Sequence, residues 1–165
     1  MLVGLTAIGV ARLEELGRAA IVREALEFIG TPYHDHGEVK GKGGGVDCAT
    51  LIKLVYRNAG IVDDFTIDYY SPQHFLHSER ELYLEYILRF AHEISPEQAK
   101  PGDVVMYKLG RSFGHGAIII DPGWPHIVHA WGPARLVCRG DGLQEGLGNR
   151  WRERKFFSHF SACAR

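Results

Sequence analysis

The chain has almost no net charge, few cysteines and no long apolar run, and each absence excludes a class of protein. Its 19 Lys and Arg against 20 Asp and Glu leave a formal net charge of -1. That argues against a broad nucleic-acid footprint, because neutralising phosphates takes a basic face. Cys48, Cys138 and Cys163 form an odd, sparse set, unlike the even and dense set of a small disulfide scaffold, so at least one thiol is expected to be free. Charges interrupt every hydrophobic run short of the roughly 18 to 20 apolar residues that span a bilayer, and no membrane span is expected. The apolar opening lacks a basic start and a long apolar core before a small-residue cleavage site, so no signal peptide is read there. No Cys-x-x-Cys or His-x-x-x-His pair occurs, the local spacing from which structural zinc sites are usually built. No metal or organic cofactor is expected, beyond adventitious metal at His34 with His36 or at a cysteine with histidines. The run Gly41-Lys42-Gly43-Gly44-Gly45 lacks the Gly-Lys-Ser/Thr ending of a phosphate loop and the order of a dinucleotide fingerprint.

What is present describes one ordinary globular domain. With 165 residues, 45% of them hydrophobic, the chain is long enough to enclose a single core. Residues 1–16 read as an N-terminal extension. From Ala11 to Ile29, Leu13, Leu16, Ala20, Leu26 and Ile29 recur at helical spacing, with Gly17 as a point of division into two helices. The glycine-rich stretch from Gly37 to Gly45 reads as a long mobile loop framing the site. A second helix is expected to begin at Asp47, a good capping residue, and to carry Leu51, Ile52, Val55 and Tyr56 on one side. Residues 61–100 read as a partly helical insertion: an irregular stretch with Tyr69, Tyr70 and Pro72, then an amphipathic segment from about Glu79 to Phe90. Its tyrosines are expected to pack. From Pro101 the texture changes to short apolar runs, Val104 to Tyr107, Gly116 to Ile120, Ile127 to Ala130, Leu136 to Cys138 and Lys155 to Phe160, which read as antiparallel strands. Helices first and strands later indicate an α+β domain.

Cys48 falls in the first turn of the second helix. There the unpaired N–H groups and the positive end of the helix dipole favour thiolate over thiol. The same N–H groups can stabilise the oxyanion formed when a thiolate attacks an amide. Such attack needs a proton shuttle active near neutral pH, which suits histidine. His115, between Gly114 and Gly116 at the head of an apolar strand, is the candidate base. His129 lies on the next strand, where a hairpin through Asp121-Pro122-Gly123 would bring the two imidazoles side by side as base and orienter. Nearby His126 follows Pro125 in the turn and is the weaker alternative. Taken singly, a cysteine ahead of apolar helical residues is more often a structural thiol. A histidine in a strand is more often a core or turn residue. Cys138 and Cys163 have no motif around them and are assigned no chemistry.

The ordered set Gly30-Thr31-Pro32-Tyr33, Asp47-Cys48, Pro101-Gly102-Asp103-Val104, His115-Gly116 and Val128-His129-Ala130 resembles the motifs of the NlpC family of cell-wall cysteine endopeptidases, over about residues 20–160. The resemblance implies a papain-like α+β fold with the nucleophile at a helix N-terminus. It implies catalysis by Cys48, His115 and His129, with Tyr33 and Asp47 as substrate-binding residues. It also implies hydrolysis of a peptidoglycan stem peptide at the γ-D-glutamyl-diamino acid bond. Trp151-Arg152-Glu153-Arg154 followed by aromatics is similar to the branch carried by phages and phage-like particles. Tail hub or tail-tip proteins are then expected partners, with action in the cell wall or periplasm after synthesis in the cytoplasm. The chain departs from the family at Ala49, where many relatives carry serine after the cysteine. Two further readings stand beside this one: a tail-tip docking protein that keeps the fold with weak or lost activity, and an amidase or acyltransferase using the same Cys-His-His site.

Overall fold

The computed structural model describes residues 7–160 apart from 72, 145 and 150. Pro72 and Cys163 therefore lie outside the described residues. Helix α1 (Ala7–Glu27) runs unbroken through Gly17, so the expected division there does not occur. Gly17 serves close packing instead, since a Cβ on it would stand 2.8 Å from the ring of Phe160. Beyond Gly17 the helix buries Ile21 and Ala25. Arg18 ties it to the sheet, donating to Asp103 Oδ1 at 2.7 Å and to Ser158 Oγ at 3.1 Å.

The glycine-rich stretch forms a hairpin rather than the expected mobile loop. Strand β1 (Glu38–Val39) pairs antiparallel with β2 (Gly45–Val46). A Cβ on Gly44 would stand 2.1 Å from the Val39 carbonyl oxygen, so glycine is what permits this approach. The buried Thr31 Oγ1 accepts from the Gly41 N–H at 3.0 Å and holds the hairpin tip.

Helix α2 (Cys48–Asn58) starts at its Asp47 cap and is buried from Ala49 to Tyr56. The expected helix from Glu79 to Phe90 is shorter, as α4 (Leu82–Ile87), and is preceded by a single turn, α3 (His74–His77). The sheet contains β3 (His92–Ile94), β4 (Val104–Lys108), β5 (Phe113–Ile119), β6 (His126–Trp131), β7 (Leu136–Asp141) and β8 (Arg154–Ser158). Its order is β3-β8-β4-β5-β6-β7 and every pairing is antiparallel. The edge strand β3 was not expected from the sequence.

Period-two alternation divides the strands between two cores. Val104, Met106, Ile118, Val128 and Ala130 join the helices. Val105, Tyr107, Ala117, Ile119 and Ile127 form a second cluster with Leu147 and Phe156. Among the described residues no helix is long and apolar enough to cross a membrane.

Candidate active site

Cys48 is the first residue of α2, and its neighbour Asp47 builds the helix start. Asp47 Oδ1 accepts from the Ala49 N–H at 3.0 Å, the Thr50 N–H at 2.9 Å and the Thr50 hydroxyl at 3.1 Å. Thr50 Oγ1 accepts in return from the Asp47 N–H at 2.9 Å. This reciprocal cap satisfies two of the N–H groups that a helix start leaves orphaned. The Leu51 N–H bonds to the Asp47 carbonyl. Of the four N–H groups in the first turn, the one on Cys48 itself therefore remains as a donor for an oxyanion, fewer than the sequence suggested.

Cys48 is partly buried. Its thiol donates towards the Gly114 carbonyl at 3.9 Å. Burial, reinforced by the Asp47 carboxylate, pushes the Cys48 thiol up to about 12, while the Tyr83 hydroxyl and the Gly116 N–H act in the opposite direction. The raised value makes the group a neutral thiol near neutral pH, although the helix dipole by itself would favour ionisation.

Strands β5 and β6 place His115 Nε2 3.0 Å from His129 Nδ1, in the side-by-side arrangement expected of the connecting hairpin. Both histidines are buried. Trp131 braces them, stacked on His129 with centroids 5.1 Å apart and edge-on to His115 at 5.3 Å. Because Nε2 of His115 is engaged, Nδ1 is the nitrogen available to accept a thiol proton. That role requires His115 Nε2–H to donate to His129 and puts the His129 proton on its own Nε2. His129 Nε2 is buried without a partner, against Gly140. Burial is the main cause that holds His115 well below its ordinary value, with His129 and Arg152 adding to it. Burial alone lowers His129 to about 4. His126 takes no part in this pair: it is exposed and faces Asp121 across the turn at 3.1 Å.

A cavity of about 400 Å³ opens on Cys48 and His115, and Tyr33, Asp47, Ala49 and Trp131 also line it. Tyr33 is placed there by a bridge to Val46 and by its N–H bond to the Arg135 carbonyl at 2.9 Å. Burial, with the nearby Cys48, Asp47 and Asp35, raises its phenol above the ordinary value. Asp47, a substrate-binding residue by the motif resemblance, reaches the wall, but its carboxylate is engaged in this conformation. Its Oδ2 already accepts from the His36 N–H at 2.8 Å and from the Tyr70 hydroxyl at 2.5 Å. The glycine-rich hairpin, expected to frame the site, is not among the lining residues.

Residues within the stretch 67–89, expected to belong to an insertion, supply a further part of the wall, and no motif in the sequence announced it. Phe75 lies over Gly114, so that a Cβ there would meet its Cβ at 2.5 Å. The Tyr86 hydroxyl donates to the Ala49 carbonyl at 2.7 Å. Tyr70 and Tyr83 complete this wall.

No protein-family model and no curated protein matches the chain. Solved structures do: the fold is that of the papain-like NlpC/p60 domains. The NlpC/p60 domain of the peptidoglycan hydrolase SagA matches with a TM-score of 0.53 and 25% identity, over 84% of this chain and 96% of that one. The peptidoglycan hydrolase RipB from Mycobacterium tuberculosis matches with a TM-score of 0.60 and 16% identity, over 98% and 75%. RipD from the same organism, described as a non-catalytic NlpC/p60 domain protein adapted to peptidoglycan binding, matches with a TM-score of 0.54 and 16% identity, over 86% and 96%. The fold is thus shared by domains that hydrolyse and by one that does not, and chemistry has to be argued from the side chains.

Proposed function

We propose that this chain is an NlpC-family cysteine endopeptidase that hydrolyses peptidoglycan stem peptides. The observation that carries the reading is the meeting, in one cavity, of a cysteine at a helix N-terminus with the first of two hydrogen-bonded histidines on adjacent strands. The Cys48 proton passes to His115 Nδ1, and the sulfur attacks the amide carbon to form a tetrahedral oxyanion. The Cys48 N–H and the α2 dipole stabilise that oxyanion. His115 returns the proton to the departing amine, leaving a thioester that water hydrolyses with His115 again as base. His129 holds the His115 tautomer. Tyr33 lines the acyl side, and Asp47 contacts substrate only when Tyr70 releases its Oδ2.

The finer parts of the reading are cleavage between γ-D-glutamate and a diamino acid, and delivery by a phage or phage-like tail. They rest on the motif resemblance. Ala49, where a serine hydroxyl is common, points to altered recognition of the stem. The raised Cys48 thiol and the fold's likeness to non-catalytic RipD favour a second reading, binding without turnover. Purified peptidoglycan separates them: the wild type is expected to release soluble stem-peptide fragments and Cys48→Ala none. Equal inactivity of both proteins on several wall chemistries would leave binding as the function. Mass spectrometry of the fragments identifies the bond and tests the amidase and acyltransferase alternatives.

A further inference from the structure

The Tyr83 hydroxyl is buried and makes no hydrogen bond in this conformation, although a buried unpaired hydroxyl is costly and uncommon. Its position is unusual too. The oxygen lies 2.6 Å from where a Cβ on Gly116 would be, one residue beyond His115. It lines the same cavity as Cys48 and favours ionisation of that thiol. Its ring is stacked on Tyr86, 5.2 Å centroid to centroid and 6° from parallel, which fixes the phenol. Tyr86 is itself committed to the Ala49 carbonyl. The insertion therefore holds a rigid donor on the cavity that Cys48 lines.

We propose that Tyr83 is a hydrogen-bond donor to the Cys48 sulfur as it ionises, so that the insertion supplies part of the catalytic centre. The proposal rests on Cys48 being the nucleophile but requires no particular substrate. In the resting state the thiol is directed at the Gly114 carbonyl, and the Tyr83 hydroxyl, though placed to favour ionisation of the sulfur, has no partner at full hydrogen-bond geometry. When the proton moves from Sγ to His115 Nδ1, the sulfur gains a negative charge and the phenol O–H turns to it, keeping its own proton. A charge-assisted bond replaces an unsatisfied donor. Glu81, which accepts from the Phe113 N–H at 2.8 Å, and the Phe75 carbonyl, which accepts from the Arg111 N–H at 2.8 Å, pin the insertion to β5 and the turn before it.

The test is the rate of Cys48 alkylation by iodoacetamide, followed by peptide mass spectrometry from about pH 6 to about pH 10, a range that brackets ordinary cysteine titration. Tyr83→Phe keeps the ring stacked on Tyr86 and removes an oxygen with no full hydrogen bond in the resting protein, so the fold is expected to be kept. Alkylation is expected to slow about tenfold at each pH below the thiol's titration, the effect of losing one hydrogen bond to a charged group. Tyr86→Phe, which removes a different hydroxyl from the same wall, is expected to cause no such slowing. Equal rates for wild type and Tyr83→Phe overturn the proposal, as does equal slowing in both variants, which would mean a loosened insertion. A Cys48 that stays unreactive throughout the range also overturns it. Slowed alkylation in a protein that leaves peptidoglycan intact would keep this inference and remove the substrate reading.

Discussion

Gly140 has no motif around it, yet a Cβ there would sit 2.9 Å from His129 Nε2. The His129 ring occupies the space a side chain would take, and the 3.0 Å contact with His115 depends on that seat. Gly140→Ala pushes the ring away from its partner, and misplacement of a catalytic group by about 1 Å can cost on the order of a hundredfold. A tenfold or greater fall in kcat on peptidoglycan is therefore expected, with KM nearly unchanged and the melting temperature only a little lower. Unaltered turnover would mean that His129 does not orient His115. At this scale the sequence was most legible where spacing and chemistry coincide. Cys48 at a helix start and His115 and His129 on successive strands were visible as candidates, and the structure brings all three to one place. The engagement of Asp47 by Tyr70 was not visible, because that contact spans 23 positions, all of α2 followed by an irregular stretch, and no periodicity relates its ends.

The elements owe their positions to a few buried polar ties. In Pro101-Gly102-Asp103, Gly102 takes a left-handed φ of +88° and its carbonyl accepts from Tyr56 on α2. Asp103, fully buried, accepts from Arg18 on α1 and from the Lys100 N–H at 2.9 Å. This motif fastens both helices to the sheet and lies outside the cavity lining, so it acts on chemistry only by placing Cys48. Asp103→Ala leaves the Arg18 guanidinium largely buried with Glu14 as its remaining carboxylate. A loss of about 3 kcal/mol in urea unfolding is expected, and a loss below about 1 kcal/mol would show that the tie is not structural. The main helices and five strands were legible because their apolar periodicity is regular. β3 was missed because three residues at a sheet edge carry almost no pattern. The hairpin β1–β2 was missed because its glycines are there for close backbone approach, which from sequence looks the same as flexibility.

Over the whole molecule, one site sets the edges of the stability profile. His129, lowered to about 4 from 6.5, is neutral in the fold where the unfolded chain already binds a proton. Its contribution is complete above about 6.5 and is lost as pH falls towards 4, because the unfolded state then gains protons that the fold refuses. Cys48, raised from 9.0 to about 12, works in the other direction. Its contribution is complete below 9 and is lost as pH rises towards 12. The protein is thus expected to be most stable between these limits, with cysteine and histidine both uncharged until substrate or a movement of the insertion alters their surroundings. For His129 the shift corresponds to about 3 kcal/mol, largely expressed between pH 7 and about 4.5. Urea unfolding at those two pH values should show a clear loss for the wild type and a markedly smaller one for His129→Asn. His126→Asn, which alters an exposed histidine, should keep the full loss. An acid slope identical in all three proteins would mean that the imidazole pair is not held neutral by burial, and the uncharged resting site would have to be abandoned.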